Sequence, residues 1–452
     1  MEKSNRKTTP SRWVSPVIQP IHLARAWILG LVYLIALIPL AFAPKISGNV
    51  SSRYMTIEAV VERGTLAVES SPLRAGSGSP DLVRFGRHLY SDKPPVLSAL
   101  GAAVYAVVYE AGARFSGSVS QFVIANWVLV ASLVGTTSAL ALVWLRLLLQ
   151  TVPIPAWAAD LLTLGFGFGS QLLTYGVTFN NHSVAAGLVT GALAFSFLDD
   201  PEGGRSRRRS WGAGFLAGLT ATIDLPAGGL LLIALTVFQV WRRRAVPGLF
   251  LVGAALPLLA HAGLQSMVTG SPLPAEMYPE AFDYPGSYWA TAGVWKENGP
   301  RWRFGLELLF GPQGWLTVTP VLAFAVIGLG AVVRRRDDPL RPAALAVTAM
   351  SLGLLVYYVW GVRRTDYAGQ SFGTRHMLAI TPAWFLFAVV GASRLNRRFV
   401  WGLFAVLMVL GTGYAVAGLR DPWSRIEQRA PHEPVLGALQ RLVLYPWSSY
   451  RR

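Results

Sequence analysis

Residues 26–43 read AWILGLVYLIALIPLAFA, a run with no charge, and its length sets the class of the whole chain. As a helix it is long enough to cross the ~30 Å hydrocarbon core of a bilayer. Similar apolar blocks recur to residue 418, so the expected fold class is an all-α polytopic membrane protein. Composition agrees. Of 452 residues, 53% are hydrophobic and 14% charged, where a soluble domain carries about 25% charged. The first 25 residues are basic, and Pro44 directly after Ala41 and Ala43 argues against a cleavage site there. The segment reads as an uncleaved anchor.

The arginines orient the blocks. They cluster at Lys3 to Arg25, Arg205 to Arg209, Arg242 to Arg244, Arg334 to Arg336 and Arg394 to Arg398, and such clusters mark cytoplasmic turns. Spans are then expected near 24–43, 121–147, 153–175, 179–198, 210–224, 226–241, 245–264, 314–333, 341–361, 376–394 and 398–418. That makes about eleven, with residues 1–23 a basic cytoplasmic amino terminus, 24–418 the membrane module and 419–452 an outer tail. The outer loops are 44–120, 265–313 and 362–375. Residues 96–113 are apolar enough to cross, but counting them would put Arg205 to Arg209 outside; they are read as a juxtamembrane or re-entrant helix.

Several function classes drop out. The formal charge of +17 would suit nucleic acid in a soluble protein. Here most arginines flank apolar blocks, where topology explains them, and nucleic acid is not an expected partner. With no cysteine there is no disulfide, thiol nucleophile or thiolate metal site. Among the histidines (His22, His88, His182, His261, His376, His432) none has zincin spacing, so no metal site is assigned, although a divalent ion stays open. No cofactor is expected. Interfacial Trp and Tyr explain Tyr278, Tyr284, Tyr288, Trp289, Trp295 and Trp302.

The first outer loop is richer. In RYMTIEAVVE (53–62), helical spacing puts Tyr54, Glu58 and Glu62 on one face and Arg53, Ile57 and Val61 beside it. Such a helix lies along the membrane surface, either with its acids facing a cavity or as an ordinary interfacial helix. In YSDKPP (90–95), Pro94 and Pro95 hold Asp92 and Lys93 rigidly where the chain re-enters the membrane. Lys93 suits a phosphate as a compact point charge, or snorkels to lipid headgroups. Further on, FNNHS (179–183) opens a span with Asn180, Asn181 and His182. The asparagines read equally as helix caps, whereas an ionisable His182 at membrane depth points to a cavity. Asp224 falls at a turn between two short apolar runs, functional by default or else a cap. Arg375 and His376, with Arg363, Arg364 and Asp366 nearby, make the third outer loop basic; Arg375 suits a phosphate or a boundary position. Asp160 lies at the cytoplasmic end and is left off the site.

An Arg-Tyr pair (Arg53, Tyr54) after the first span, then SDKPP about 40 residues later and a polar turn opening a later span, resembles the GT-C glycosyltransferases. The family-39-type enzymes, including lipid A aminoarabinose transferases and protein O-mannosyltransferases, are the most similar in pattern. The resemblance covers roughly residues 24–400, with its motifs in 49–95. It implies a GT-C-like bundle and a polyprenyl-phosphate sugar as donor. The acceptor is a lipid, glycan or protein, and transfer inverts at the outer face of the plasma membrane. Arg53 and Lys93 map onto the family's cationic positions, with Arg375 a weaker candidate for the donor phosphate. Tyr54, Tyr90, Asn181, His182 and His376 are expected to line the substrate cavity. The chain departs from the family where an acid usually precedes the Arg-Tyr pair, reading NVSS at 49–52. The candidate bases are therefore Glu58, ranked first, then Asp224, Asp92 and Asp81. Other readings are a lipid-linked-sugar flippase or transporter, and a non-catalytic envelope-assembly protein of the same fold.

Arginine placement makes a topological prediction. After Ser206→Cys the new thiol should react with an impermeant maleimide only in permeabilised cells, and after Ala290→Cys in intact cells. Labelling of both from one side would overturn the eleven-span arrangement.

Overall fold

The structure, a computed structural model, describes residues 19–74, 81–198, 205–243, 245–288, 300–361 and 369–442. Arg363, Arg364, Asp366, Trp289, Trp295, the Ser-Gly run 76–80 and both cysteine-labelling positions' side chains fall outside it. Helix α1, Pro20–Leu40, takes proline into its first turn, where a missing N–H costs nothing. Helix α2, Gly48–Arg63, starts on the Ser47 cap and stops at Gly64, whose φ of 66° ends the helix in the left-handed region. After a hairpin comes α3, Pro95–Glu110. Then α4, Val119–Thr151, runs 33 residues with one π turn at Val130–Gly135. Ser118 and Gln121 form a reciprocal capping box at its start.

The chain then breaks at Gly169 into α5, Ala156–Phe168, and the short α6, Gln171–Gly176. Next are α7, Asn181–Phe197, and α8, Arg205–Ile223, followed by α9, Leu225–Arg243, and α10, Gly248–Thr269. After the second long loop come α11, Arg301–Phe310, α12, Ala323–Arg334, and α13, Arg341–Val356. A 3₁₀ segment, Arg375–Ile380, leads into α14, Thr381–Leu395, and α15, Arg398–Arg420, completes the bundle. Beyond it the described tail does not trail away. Tyr414 Oη donates to Leu439 O at 3.0 Å, and Phe372 N donates to Pro422 O at 2.8 Å, folding the tail onto the bundle end.

Two expectations need correction. Helices occupy each of the eleven expected intervals, but the count of eleven spans is not confirmed. Among the described residues six helices are long and apolar enough to cross, or seven if the segments Arg301–Val318 and Pro320–Arg334, bent by 105°, make one span. The others fall short for physical reasons: the break at Gly169 splits one interval, α7 has only 17 residues, and α8 opens with four arginines. Nor is the fold all-α. Leu82–Phe85 and His88–Ser91 (β1 and β2) pair antiparallel across a two-residue turn whose first residue, Gly86, has φ 60°. A positive φ at that place is what a tight hairpin turn asks for.

The bundle has two chemically distinct ends. At one, Arg146 of α4 pairs with Asp160, which also lies 3.5 Å from Arg25, and Arg394 pairs with Asp338. At the other sit α2, α3, the hairpin and the starts of α7 and α14. Helix α3 begins beside Lys93 at that end. Its Tyr105 reaches Glu62 at the end of α2, and Phe115, just past its end, stacks on Tyr54. Both ends of α3 are therefore at one end of the bundle, and it lies across that end rather than along it.

Helices with little apolar advantage over lipid associate by close packing of small residues. A Cβ added at Gly214 of α8 would lie 1.9 Å from Phe250 O of α10, and one at Gly253 of α10 would lie 2.2 Å from Trp211 O. Gly214→Leu and Gly253→Leu should each lower stability in detergent by at least the ~1–3 kcal/mol typical of overpacking. Thermal unfolding of the purified variants checks this, with Gly229→Leu, where a Cβ meets open space, as the control that should unfold like wild type.

Candidate active site

Arg53 is the centre of the polar end. Helix α2 buries it to 1% exposure. Its Nη1 donates to Asn49 Oδ1 and, at 3.3 Å, to Asn49 O, one turn back. Its Nη2 donates to Asn181 Oδ1 at 3.3 Å. All three acceptors are neutral. Burial pushes the guanidinium down to about 10, with Asp92 and Asp81 opposing that fall and Arg375 adding to it, so Arg53 remains charged at neutral pH. Its Nε is buried without an acceptor, and among the described residues no carboxylate forms an ion pair with it. A buried charge met only by amides and carbonyls is costly unless a ligand completes it.

The hairpin supplies the acids. Ser91 pairs with Leu82, so Asp81 and Asp92 flank the open end of the ladder as neighbours, and Asp92 N donates to Asp81 O at 3.3 Å. Ser91 Oγ donates to Ser52 Oγ at 3.1 Å, fastening the hairpin to α2. Lys93 Nζ lies 3.0 Å from Asp92 and 3.5 Å from Asp81. Burial works against the Lys93 ammonium, but Asp81 and Asp92 more than offset it and hold its pKa above the usual lysine range. Burial lifts the Asp92 carboxyl above the ordinary carboxylate range. Lys93 pulls it back, while Asp81 and Glu276 push it further up.

Glu276 was missed from the sequence, which offers no motif around it. The second long loop leans on the hairpin through Ala275, Ala281 and Phe282 against Val83, and this contact delivers Glu276 to the cluster. Glu276 keeps access to solvent, yet the protein packed round it withdraws water and raises its pKa; Lys93 works the other way.

The start of α7 brings the third group. Asn180 caps the helix by accepting from Ser183 N at 2.9 Å, so the capping reading holds for that residue. Asn181 instead bridges Arg53 and Asp224, donating to Asp224 Oδ2 at 3.4 Å. His182 Nδ1 lies 2.7 Å from the same oxygen. Asp224 is 2% exposed, in the joint between α8 and α9. Arg375 stands over the Trp423 ring at 5.0 Å, its Nε buried without an acceptor. The His376 ring lies 5.5 Å from His182 and 4.8 Å from Tyr358, a second residue the sequence reading missed.

The structure thus brings together Arg53, Asp81, Asp92, Lys93, Asn181, His182, Asp224, Arg375 and His376. Tyr90 borders them in a narrow recess with Ser91, Lys93 and Gln265. Two residues are not brought in. Glu58 faces away: its two oxygens accept from Arg63 Nε at 2.9 Å and Nη2 at 3.1 Å, in a pair at the far end of α2. Tyr54 does not line a cavity. It is buried, donates to Asn126 Oδ1 at 2.7 Å and stacks on Phe115, so it is a packing residue. The surface-lying amphipathic helix is likewise corrected, because α2 is buried from Val50 to Ala59. Lys93, expected on a phosphate, is occupied by carboxylates. No group of three or more His, Asp or Glu among the described residues is placed to hold a metal ion. A cavity of about 250 Å³ lies at the opposite, arginine-rich end, between Leu148, Phe197, Leu340 and Phe387, and touches none of these groups.

No family model and no curated relative matches the chain. Solved structures do. The chain is similar to ArnT from Cupriavidus metallidurans bound to undecaprenyl phosphate, with TM-score 0.52 and 14% identity, over 93% of this chain and 73% of that one. It is also similar to the Archaeoglobus fulgidus oligosaccharyltransferase in complex with Zn and sulfate, with TM-score 0.51 and 14% identity, over 94% of this chain and 57% of that one. At such identities the likeness shows the fold.

The Glu58–Arg63 assignment is testable without a substrate. Glu58→Gln should cost about 1.5–3 kcal/mol of stability, the range for a hydrogen bond to a charged group. In a double-mutant cycle with Arg63→Gln, the double variant should lose less than the sum of the single losses. Strictly additive losses in thermal unfolding would contradict the pair.

Proposed function

Because the chain has the GT-C fold, we propose that it is a glycosyltransferase. It moves a sugar from a polyprenyl-phosphate donor to an acceptor at the outer face of the plasma membrane, with inversion at the anomeric carbon. One observation carries the reading: Arg53 and Arg375, from different helices, lie close enough to oppose each other's charge. Neither has a carboxylate ion pair among the described residues, and each has a buried Nε without an acceptor. Two such guanidiniums are stabilised by an anion placed between them, and a phosphate accepts from both. The NVSS stretch at 49–52 departs from the family pattern by lacking an acid, and Asn49 within it meets Arg53 without neutralising it. That ArnT is bound to undecaprenyl phosphate supports the donor class.

The acids form the other half of the reaction. As the acceptor oxygen attacks the anomeric carbon, its proton passes to Asp92, and the bond to phosphate breaks. A carboxylate raised towards the working pH is the better general base. Lys93 and Asp81 hold Asp92 in place, and the cation at Arg53 separates it from the leaving phosphate. The lipid chain lies among the helices and the headgroup at the polar end.

Undecaprenyl phosphate is the probe for the first half. Arg53→Ala and Arg375→Ala should each weaken its binding by about 1.5–3 kcal/mol in titrations of purified protein. Near-wild-type affinity in both would sink the donor site. Asp92→Asn should keep that affinity and slow release of free lipid phosphate from the sugar donor by about 10²–10⁴-fold. Because Asp92 must be ionised to take the proton and its pKa is raised, the wild-type rate should fall on acidification at a higher pH than an ordinary carboxylate would cause.

A further inference from the structure

His182 is the second residue of α7, and its imidazole is held from behind. Asp224 Oδ2 lies 2.7 Å from Nδ1. The joint carrying Asp224 is itself fixed: Asp224 N donates to Thr220 O at 2.8 Å, and its carbonyl accepts from Gly228 N at 2.8 Å. A carboxylate at Nδ1 requires a proton there, which leaves Nε2 to meet a ligand. The groups around the ring come from every packed element: Asp224 from the α8–α9 joint, Asn181 from α7 and Arg53 from α2. Arg375 and His376 come from the segment before α14, with Tyr358 beyond His376. Burial opposes a charge on the ring first, the two guanidiniums add to that opposition, and Asp224 favours the charge. An anion bound between the guanidiniums removes their share of the opposition, so anion and ring proton favour each other.

We propose that His182, carried by Asp224, donates a proton from Nε2 to the phosphate oxygen that leaves the sugar; this rests on the donor site proposed above. In the step, the acceptor oxygen forms its bond to the anomeric carbon and loses its proton to Asp92. The bond from that carbon to the phosphate oxygen breaks, its electron pair stays on the oxygen, and that oxygen takes the Nε2 proton. Neutral His182 recovers a proton from solvent, and Asp92 releases one. Asp224 touches no substrate and is a positioning residue.

The test uses undecaprenyl methyl phosphate, a monoanion throughout the neutral range, so that any pH dependence of its binding belongs to the protein. Wild-type affinity should fall as pH rises from 6 to 8, approaching tenfold per unit at most for a single linked proton. His182→Gln should bind with a clearly shallower profile, keeping only the slope contributed by Asp92, whose raised carboxyl also titrates in this range. Asp224→Asn should also make it shallower, by withdrawing support for the charged ring. Arg53→Ala should bind more weakly at every pH with the slope retained, and all variants are checked for a wild-type-like melting transition. A slope in His182→Gln equal to that of wild type overturns the proton-donor role while leaving the donor site standing. Absence of binding by wild type at any pH would instead remove the donor site on which it rests.

Discussion

A guanidinium cannot shed its charge at physiological pH, and Arg53 is buried almost completely. Everything at the polar end is arranged around that fact. Asn49 and Asn181 supply dipoles but no charge, the hairpin acids stand off, and Arg375 adds a second positive group. Such an arrangement is expensive in an empty site and favourable in a filled one. The tight packing of α2 pays for it, through Tyr54 wedged among Phe115, Phe122 and Phe179. The aromatic side of the Arg-Tyr pair is thus the structural support for its cationic side. Mutating either residue disturbs the same helix, but only Arg53 belongs to the polar cluster.

The chemistry also divides in space. Carboxylates gather on the hairpin and the second long loop, around Lys93. Cations and imidazoles gather between α2, α7 and the segment before α14. Arg53 belongs to both groups, so in the proposed reaction a base for an incoming hydroxyl and a cradle for a departing phosphate would coexist without neutralising each other. A transporter would need these charges near the midplane of broken helices. Here they collect at one end of the bundle.

Much of this was readable in the sequence, and the failures have identifiable causes. Apolar runs and arginine clusters located the helices, and SDKPP located Asp92 and Lys93, because prolines and charge patterns act locally. FNNHS and Asp224 were singled out because polar groups at membrane depth are rare, and the structure joins them. Glu58 misled. Its position on the helix was right, but Arg63, five residues on, closes over it, and sequence spacing does not say which of two acids a nearby arginine will choose. Tyr54 misled for a related reason: a face can be polar in sequence and still be packed against aromatics from Phe115 and Phe179. Glu276 and Tyr358 were invisible because they arrive by tertiary contact from distant segments. The hairpin was hidden because its strands are four residues each, too short for alternation to register.

The hairpin has a consequence for how this chain tolerates change. Asp81 and Asp92 are adjacent because the ladder between them is closed in one register, Leu82 opposite Ser91 through Phe85 opposite His88. Strand faces alternate with period two. Lengthening both strands equally at the turn end would move the tip outward and leave the two acids together. A single inserted residue would slide one acid past the other and turn the paired faces over. A change in the length of this segment is therefore tolerated only where a longer turn or a bulge absorbs it, so that backbone geometry restricts a loop that otherwise looks free to drift.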